Sequence, residues 1–239
     1  MFLPLHDGVA LRFLRAPFVT IGMIGLCTAL FAAGASGALG LSDVVVATSF
    51  GMIPSVLFGT AILPEGLPHV PAVLTPVTNI FLHASFIHLA GNMLFLWVFG
   101  DNVEDAMGHW RHGLFLVICG ISGSLSHAAM NPGSEQPLIG ASGAVSGVIA
   151  AYLILHPHVR VLGLVFKAVP LRIPAIWALG AWIGLQFFQA LTGLDATVGW
   201  WAHIGGLVAG MLTLPLLVRP GTKLLGRGIP VIQGEAQRD

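Results

Sequence analysis

"VVVATSFGMIPSVLFGTAILP" occupies residues 44–64, and its reading decides the fold. The run is uncharged and as long as the roughly 20 residues of helix that cross a bilayer's hydrocarbon core. Gly51 and Pro54 interrupt it near the middle, where they weaken or break a helix. Charge on the surrounding chain decides between a span and a loop. The other uncharged runs cover residues 16–42, 66–100, 113–134, 136–159, 173–194 and 196–218. They predict helices near 17–37, 84–103, 113–131, 141–156, 173–193 and 198–218. With those six spans and an interior N-terminus, all ten basic residues are cytoplasmic: Arg12, Arg15, Arg111, Arg160, Lys167, Arg172, Arg219, Lys223, Arg227 and Arg238. The outer connections keep Asp43, Glu65, Glu135 and Asp195. Counting 44–64 as a seventh span would move eight of the ten basic residues outside, against the positive-inside rule. The expectation is an all-α polytopic membrane protein with six transmembrane helices and a long first outer loop, 38–82.

Composition points the same way. Of 239 residues, 56% are hydrophobic and 8% charged, with a mean hydropathy of +0.89; soluble domains carry about 25% charged residues. The formal net charge of zero gives no footprint for nucleic acid. Cys27 and Cys119 both fall within apolar runs and read as small core residues rather than a disulfide pair. The apolar run after Arg12 and Arg15 is too long for the core of a signal peptide, although "AAGASGA" (32–38) has the small residues of a cleavage site. The expected organisation is a single membrane domain over 1–239, with a short cytoplasmic segment 1–16 and a cytoplasmic tail 219–239.

Polar side chains inside spans are costly and mark function by default. The second span opens with His83, His88 and Asn92, the fourth with Ser142, the sixth with His203. Even-numbered spans all run from outside to inside. His88, Asn92, Ser142 and His203 therefore share a layer about 5–12 Å below the outer surface. His88 and Asn92 are four apart and share a helix face; His83 is expected to face elsewhere or to lie in the loop. Gly143 and Gly147 on the fourth helix, and Gly206 and Gly210 on the sixth, repeat at the spacing that lets helices approach closely in lipid. Such an approach would bring Ser142 to His203. Trp200 and Trp201 fit an outer aromatic belt. His69, His109, His112, His127, His156 and His158 read as interfacial or loop groups.

A serine becomes a nucleophile when a neutral imidazole takes its proton. No carboxylate is placed to complete a triad. Glu104 and Asp105 lie about 24 Å down their helix from His88, and Asp195 is too far before His203 along a continuous helix. The expectation is a Ser142–His203 dyad, with Asn92, His88 and the Ser142 backbone N–H as oxyanion donors. Hydrolysis needs water, so the site opens to the outer side. No HExxH motif occurs, so no metal is expected.

These motifs, "HASFIHLAGN" (83–92), "GDNVEDAMG" (100–108), "GASG" (140–143) and "AHIGGLVAG" (202–210), resemble those of the bacterial rhomboids, intramembrane serine proteases. The resemblance runs from about Thr75 to Gly210. It implies the six-helix rhomboid fold in the inner membrane, both termini cytoplasmic, and cleavage of other proteins' transmembrane segments without a cofactor. By matching position, Ser142 resembles the nucleophile, His203 the base, and His88, Asn92 and the Ser142 amide the oxyanion site. His83, Gly140, Gly143, Gly206, Gly210 and Glu104 are implied structural residues, Glu104 together with Gly108. Two departures stand out: the first loop lacks the family's Trp-Arg pair, and Ser146 stands where a tyrosine often stacks on the histidine. With only about sixteen residues before the first helix, an N-terminal regulatory domain is not expected. The resemblance also implies a substrate gate beside the fifth helix, which carries Trp182, Phe187 and Phe188; as lipid-facing or core aromatics these need no such role. The rival readings are a non-catalytic rhomboid-like escort of membrane proteins and a solute channel. A channel would continue polar residues below Asn92, where the helix reads "MLFLWVF".

Overall fold

In the computed structural model, which describes residues 2–165, 169–194 and 198–225, each predicted helix forms within about four residues of its expected bounds. Strand β1 (Phe2–His6) leads into helix α1 (Phe18–Ala35). The first loop forms the short helices α2 (Asp43–Phe50), α3 (Pro54–Leu57) and α4 (Thr75–Thr78). Then come α5 (Phe86–Met107), α6 (His109–Met130) and α7 (Ser142–Leu155). Strands β2 (Arg160–Val165) and β3 (Val169–Pro174) precede α8 (Ala175–Thr192) and α9 (Trp200–Leu217). Lys167, Asp195, Arg227, Arg238 and the end of the tail lie outside the described residues.

Among the described residues, α1, α6, α8 and α9 are each long and apolar enough to cross a bilayer. Helix α5 joins them if the segment 72–81, bent 79° from it, counts in the same span. The protein is a mostly helical, multi-pass membrane protein. Helix α7 has 14 residues, about 21 Å, shorter than the roughly 30 Å hydrocarbon core. Residues 44–64 divide at Met52 and Ile53 into two helices of eight and four residues, neither of which reaches across.

Helix α7 sits at the centre, with eleven of its fourteen residues buried. Glycine makes that possible. A Cβ on Gly206 would overlap the Gly143 carbonyl oxygen, and one on Gly210 would lie 2.6 Å from the Gly147 carbonyl oxygen. Helices α7 and α9 therefore touch backbone to backbone, which supplies dispersion contacts where lipid gives no hydrophobic drive. Gly123 brings α6 to the same junction, its Cβ position 2.6 Å from the Ala202 carbonyl oxygen.

The two ends of the bundle are built differently. At one end Glu104, fully buried, accepts the N–H groups of Val19 at 3.0 Å and Thr20 at 2.8 Å, and the Thr20 hydroxyl at 2.7 Å. It caps the first turn of α1, whose own flanking residue, Pro17, offers no side-chain cap. Asp105 accepts the N–H groups of Arg12, Phe13 and Leu14. Gly108, at φ 88°, makes the one-residue turn from α5 to α6, a conformation that favours glycine. Arg219 closes the same end through the Ala106 and Asp105 carbonyls. At the other end, Met52 pairs with Leu138, and the Asn79 carbonyl accepts the N–H of Gly140 at 2.9 Å.

The all-α expectation needs one correction. Strands β1, β2 and β3 form an antiparallel sheet in that order, with Leu3 opposite Leu164 and Val161 opposite Ile173. A two-stranded hairpin alone is marginal. The third strand comes from the N-terminal segment, about 160 residues away in sequence, a pairing that no local pattern reveals. One histidine expected in a loop or interface is a core residue instead: His112 is fully buried near Thr20, while His109, partly exposed at the capped end, bonds Glu104 at 2.6 Å. His156 packs its ring on the buried Tyr152.

Candidate active site

Ser142 is the first residue of α7, behind Ala141. The first intrahelical bond of that helix runs from Val145 N to Ala141 O, so the Ser142 N–H lies among the amides a helix start leaves unpaired. Those amides carry the positive end of the helix dipole, where a developing oxyanion is stabilised. Gly140, at φ 132°, turns the chain into α7. A Cβ there would lie 2.8 Å from His88 Nε2 and 3.8 Å from Ser142 Oγ. The glycine thus leaves open a small space bordered by both side chains.

His88 is placed by α5, whose start is capped by Ser85 Oγ accepting the His88 N–H at 3.2 Å. Asn92, one turn on and buried, donates one amide hydrogen to the His88 carbonyl at 3.1 Å and retains a second donor. His83 does not face away: it lies in the loop before α5, and its ring meets that of His88 edge-on at 5.2 Å.

His203 enters from the first turn of α9, buried to 9% exposure. Its Nδ1 bonds Gln186 Oε1 of α8 at 2.6 Å. Its ring stacks on Trp182 at 6.1 Å and meets Trp200 edge-on at 5.6 Å. Trp200 therefore lies against the candidate base rather than serving only as a belt residue. Ser146 leaves the position often held by a stacking tyrosine without a ring; its hydroxyl donates to the Ser142 carbonyl at 2.6 Å. Trp182, reaching across from α8, supplies the ring instead. Phe187 and Phe188 are 39% and 54% exposed, as expected of lipid-facing aromatics.

The structure thus brings Ser142, His88, Asn92 and His203 to the same end of the bundle, from three helices. Gly143, Gly206 and Gly210 line the α7–α9 contact below them. Glu104 stands at the opposite end. No hydrogen bond joins Ser142 Oγ to His203 among the described residues; such nucleophile–base contacts are often long in a free enzyme and tighten around substrate. Among the described residues no cluster of three or more His, Cys, Asp or Glu could hold a metal ion.

Gln186 was missed in the sequence, although a signal existed: it is a polar residue within a span. It sits on the fifth, odd-numbered span, which on the six-span reading runs from inside to outside and so reaches that layer near its C-terminal end. Gln186 lies six residues before the end of α8, about 9 Å along the helix, at the depth of the others.

The family model for the Rhomboid domain matches residues 70–220. Rhomboid protease GluP of Bacillus subtilis is 32% identical over 151 residues, 63% of this chain and 27% of that protein. Rhomboid protein 1, mitochondrial, of Saccharomyces cerevisiae is 29% identical over 154 residues, covering 60% of this chain and 42% of the yeast protein. Rhomboid-type serine protease 2 of Emericella nidulans is 29% identical over 126 residues, 49% of this chain and 24% of its own length. The matched region is less than half the length of each relative.

Proposed function

The chain belongs to the rhomboid family, and on that premise we propose that it is an intramembrane serine endopeptidase that cleaves transmembrane protein substrates. Ser142 Oγ attacks the scissile carbonyl while His203 takes its proton and later gives it to the leaving amine. The Ser142 amide, His88 and Asn92 hold the oxyanion. No cofactor takes part. The observation that carries this reading is the meeting of three helices at one depth: unpaired amides and a serine at the start of α7, flanked by His88 and, through the glycine contact with α9, by His203.

In this reading the chain is one domain that crosses the inner membrane six times, with α7 as a short central span. The end carrying Arg12, Arg111, Arg160, Arg172 and Arg219 faces the cytoplasm. The first-loop end faces out and admits water to the site.

The test is cleavage in detergent or lipid of a single-span substrate whose outer boundary is rich in small, helix-weakening residues. Native protein should cut near that boundary, and Ser142→Ala should lose at least about 10³-fold in rate. Absence of both cleavage and Ser142 labelling by a fluorophosphonate, across several substrates, would overturn the proposal in favour of a non-catalytic escort.

A further inference from the structure

We propose that Gln186 is a positioning residue that fixes the tautomer of His203, in the place where a triad would have a carboxylate. The inference rests on the reading of His203 as the base. It follows from two hydrogen bonds and the donor inventory of each group. Gln186 Nε2 lies 3.0 Å from the Trp182 carbonyl oxygen, one turn back on α8. A carbonyl only accepts, so the NH₂ end of the amide must face it. That orients the other end, Oε1, toward His203 Nδ1 at 2.6 Å. An amide oxygen also only accepts, so Nδ1 must carry the hydrogen. In a neutral imidazole the lone pair is then on Nε2, the nitrogen a serine base needs.

Burial makes this chain of constraints effective. Gln186 is 2% exposed and His203 9% exposed, so water does not readily replace either partner, and an unpaired amide there would be costly. Trp182 stacks on one side of the ring and Trp200 stands edge-on to it. The aromatic groups restrict tilt, while the hydrogen bond chooses between the two tautomers and sets rotation within the ring plane. Gln186 is also the only fully buried side chain in the second half of α8; the others, Ala175, Ala178 and Leu179, lie in its first half. The bond therefore ties the end of α8 to the site. An uncharged acceptor orients imidazole without the Coulomb attraction of a carboxylate for imidazolium. Among the described residues, the titratable groups that interact with His203 are His88 of α5 and His127 of α6; no carboxylate faces it.

Two variants separate orientation from packing. Gln186→Leu keeps the bulk and removes the acceptor. Gln186→Glu keeps an acceptor whether ionised or not. Cleavage kinetics, fluorophosphonate labelling of Ser142 and imidazole ¹⁵N spectra should be measured on the full-length protein in detergent. His203 is identified by the signal that His203→Gln removes. Native protein should show Nδ1–H at His203. Gln186→Leu should lose kcat and labelling rate by about 10²-fold or more with little change in KM, and should lose the single tautomer. Gln186→Glu should retain the tautomer and most activity, with the acidic limb of its pH–rate profile moved to higher pH, because a carboxylate favours imidazolium. An Nε2–H tautomer in the native protein would overturn the inference, as would native kcat in Gln186→Leu or equal losses in both variants. Native Nδ1–H with neither cleavage nor labelling would instead leave the tether standing and remove the dyad.

Discussion

Gly140 is constrained twice over at the scale of single residues, by its backbone angle and by its neighbour. Its φ of 132° is one that side chains rarely adopt, and a Cβ would meet His88 Cε1 at 2.7 Å and Nε2 at 2.8 Å. Gly140→Ala should therefore displace His88 and lower kcat by about 10²-fold or more, the cost of losing an oxyanion donor. Unchanged kinetics would remove His88 from the site. Asn92→Ala should cost about 10²-fold in kcat with little change in thermal stability, since its amide bonds to its own helix; undiminished activity would take Asn92 out of the oxyanion role. Residue types made Ser142 and His203 visible in the sequence, because a hydroxyl and an imidazole inside apolar runs are conspicuous. Which nitrogen of His203 is free was not visible. That depends on Gln186, seventeen residues earlier on another helix.

Helix packing turns on small residues rather than on an apolar stripe. Gly206→Ala must push its methyl into the Gly143 carbonyl, and backbone cannot yield as a flexible side chain would. Thermal unfolding in detergent should show a loss of about 1–3 kcal/mol or more, the usual cost of overpacking, with activity falling because Ser142 and His203 move apart. Gly184→Ala is the contrasting case: it lies in α8 with nothing within 4 Å of a new Cβ. It should be neutral or stabilising by up to about 1 kcal/mol. Equal destabilisation by both would mean that close approach is not what the glycines provide. The spacing of Gly206 and Gly210 was legible in the sequence as a helix-contact pattern, but its partner helix was only inferred. The helix near 141–156 was legible too, as the shortest of the six predicted spans.

Across the whole molecule, the N-terminal segment is tied to the bundle through buried acids. Glu104→Ala would orphan the two capped N–H groups of α1 and should lower stability by about 2–4 kcal/mol; a shift near zero in thermal unfolding would show that α1 does not depend on this cap. Asp7 is a second tie, accepting the Tyr152 hydroxyl and the Asn102 amide, both at 2.8 Å. Burial outweighs the hydrogen bonds from Tyr152 and the Val9 N–H and the nearby His6 and His156, holding its carboxyl above the usual carboxylate range; Asp101 is a further acidic neighbour. A raised folded pKa means that the stability Asp7 contributes is full below about pH 4, the unfolded value, and is lost as pH rises through the folded value. The unfolding midpoint of native protein relative to Asp7→Asn should therefore fall as pH rises above about 4; a difference constant with pH would exclude it. The sequence by itself determined the bilayer as solvent, the helix positions and the residue types available for chemistry, because hydration cost, positive-charge bias and helix length act locally along the chain. The tertiary structure alone decided the β1–β2–β3 sheet, the capping of α1 by Glu104 and the tether from Gln186 to His203. Each pairs groups on different elements, and a hydrogen bond depends on where the folded backbone brings its two ends.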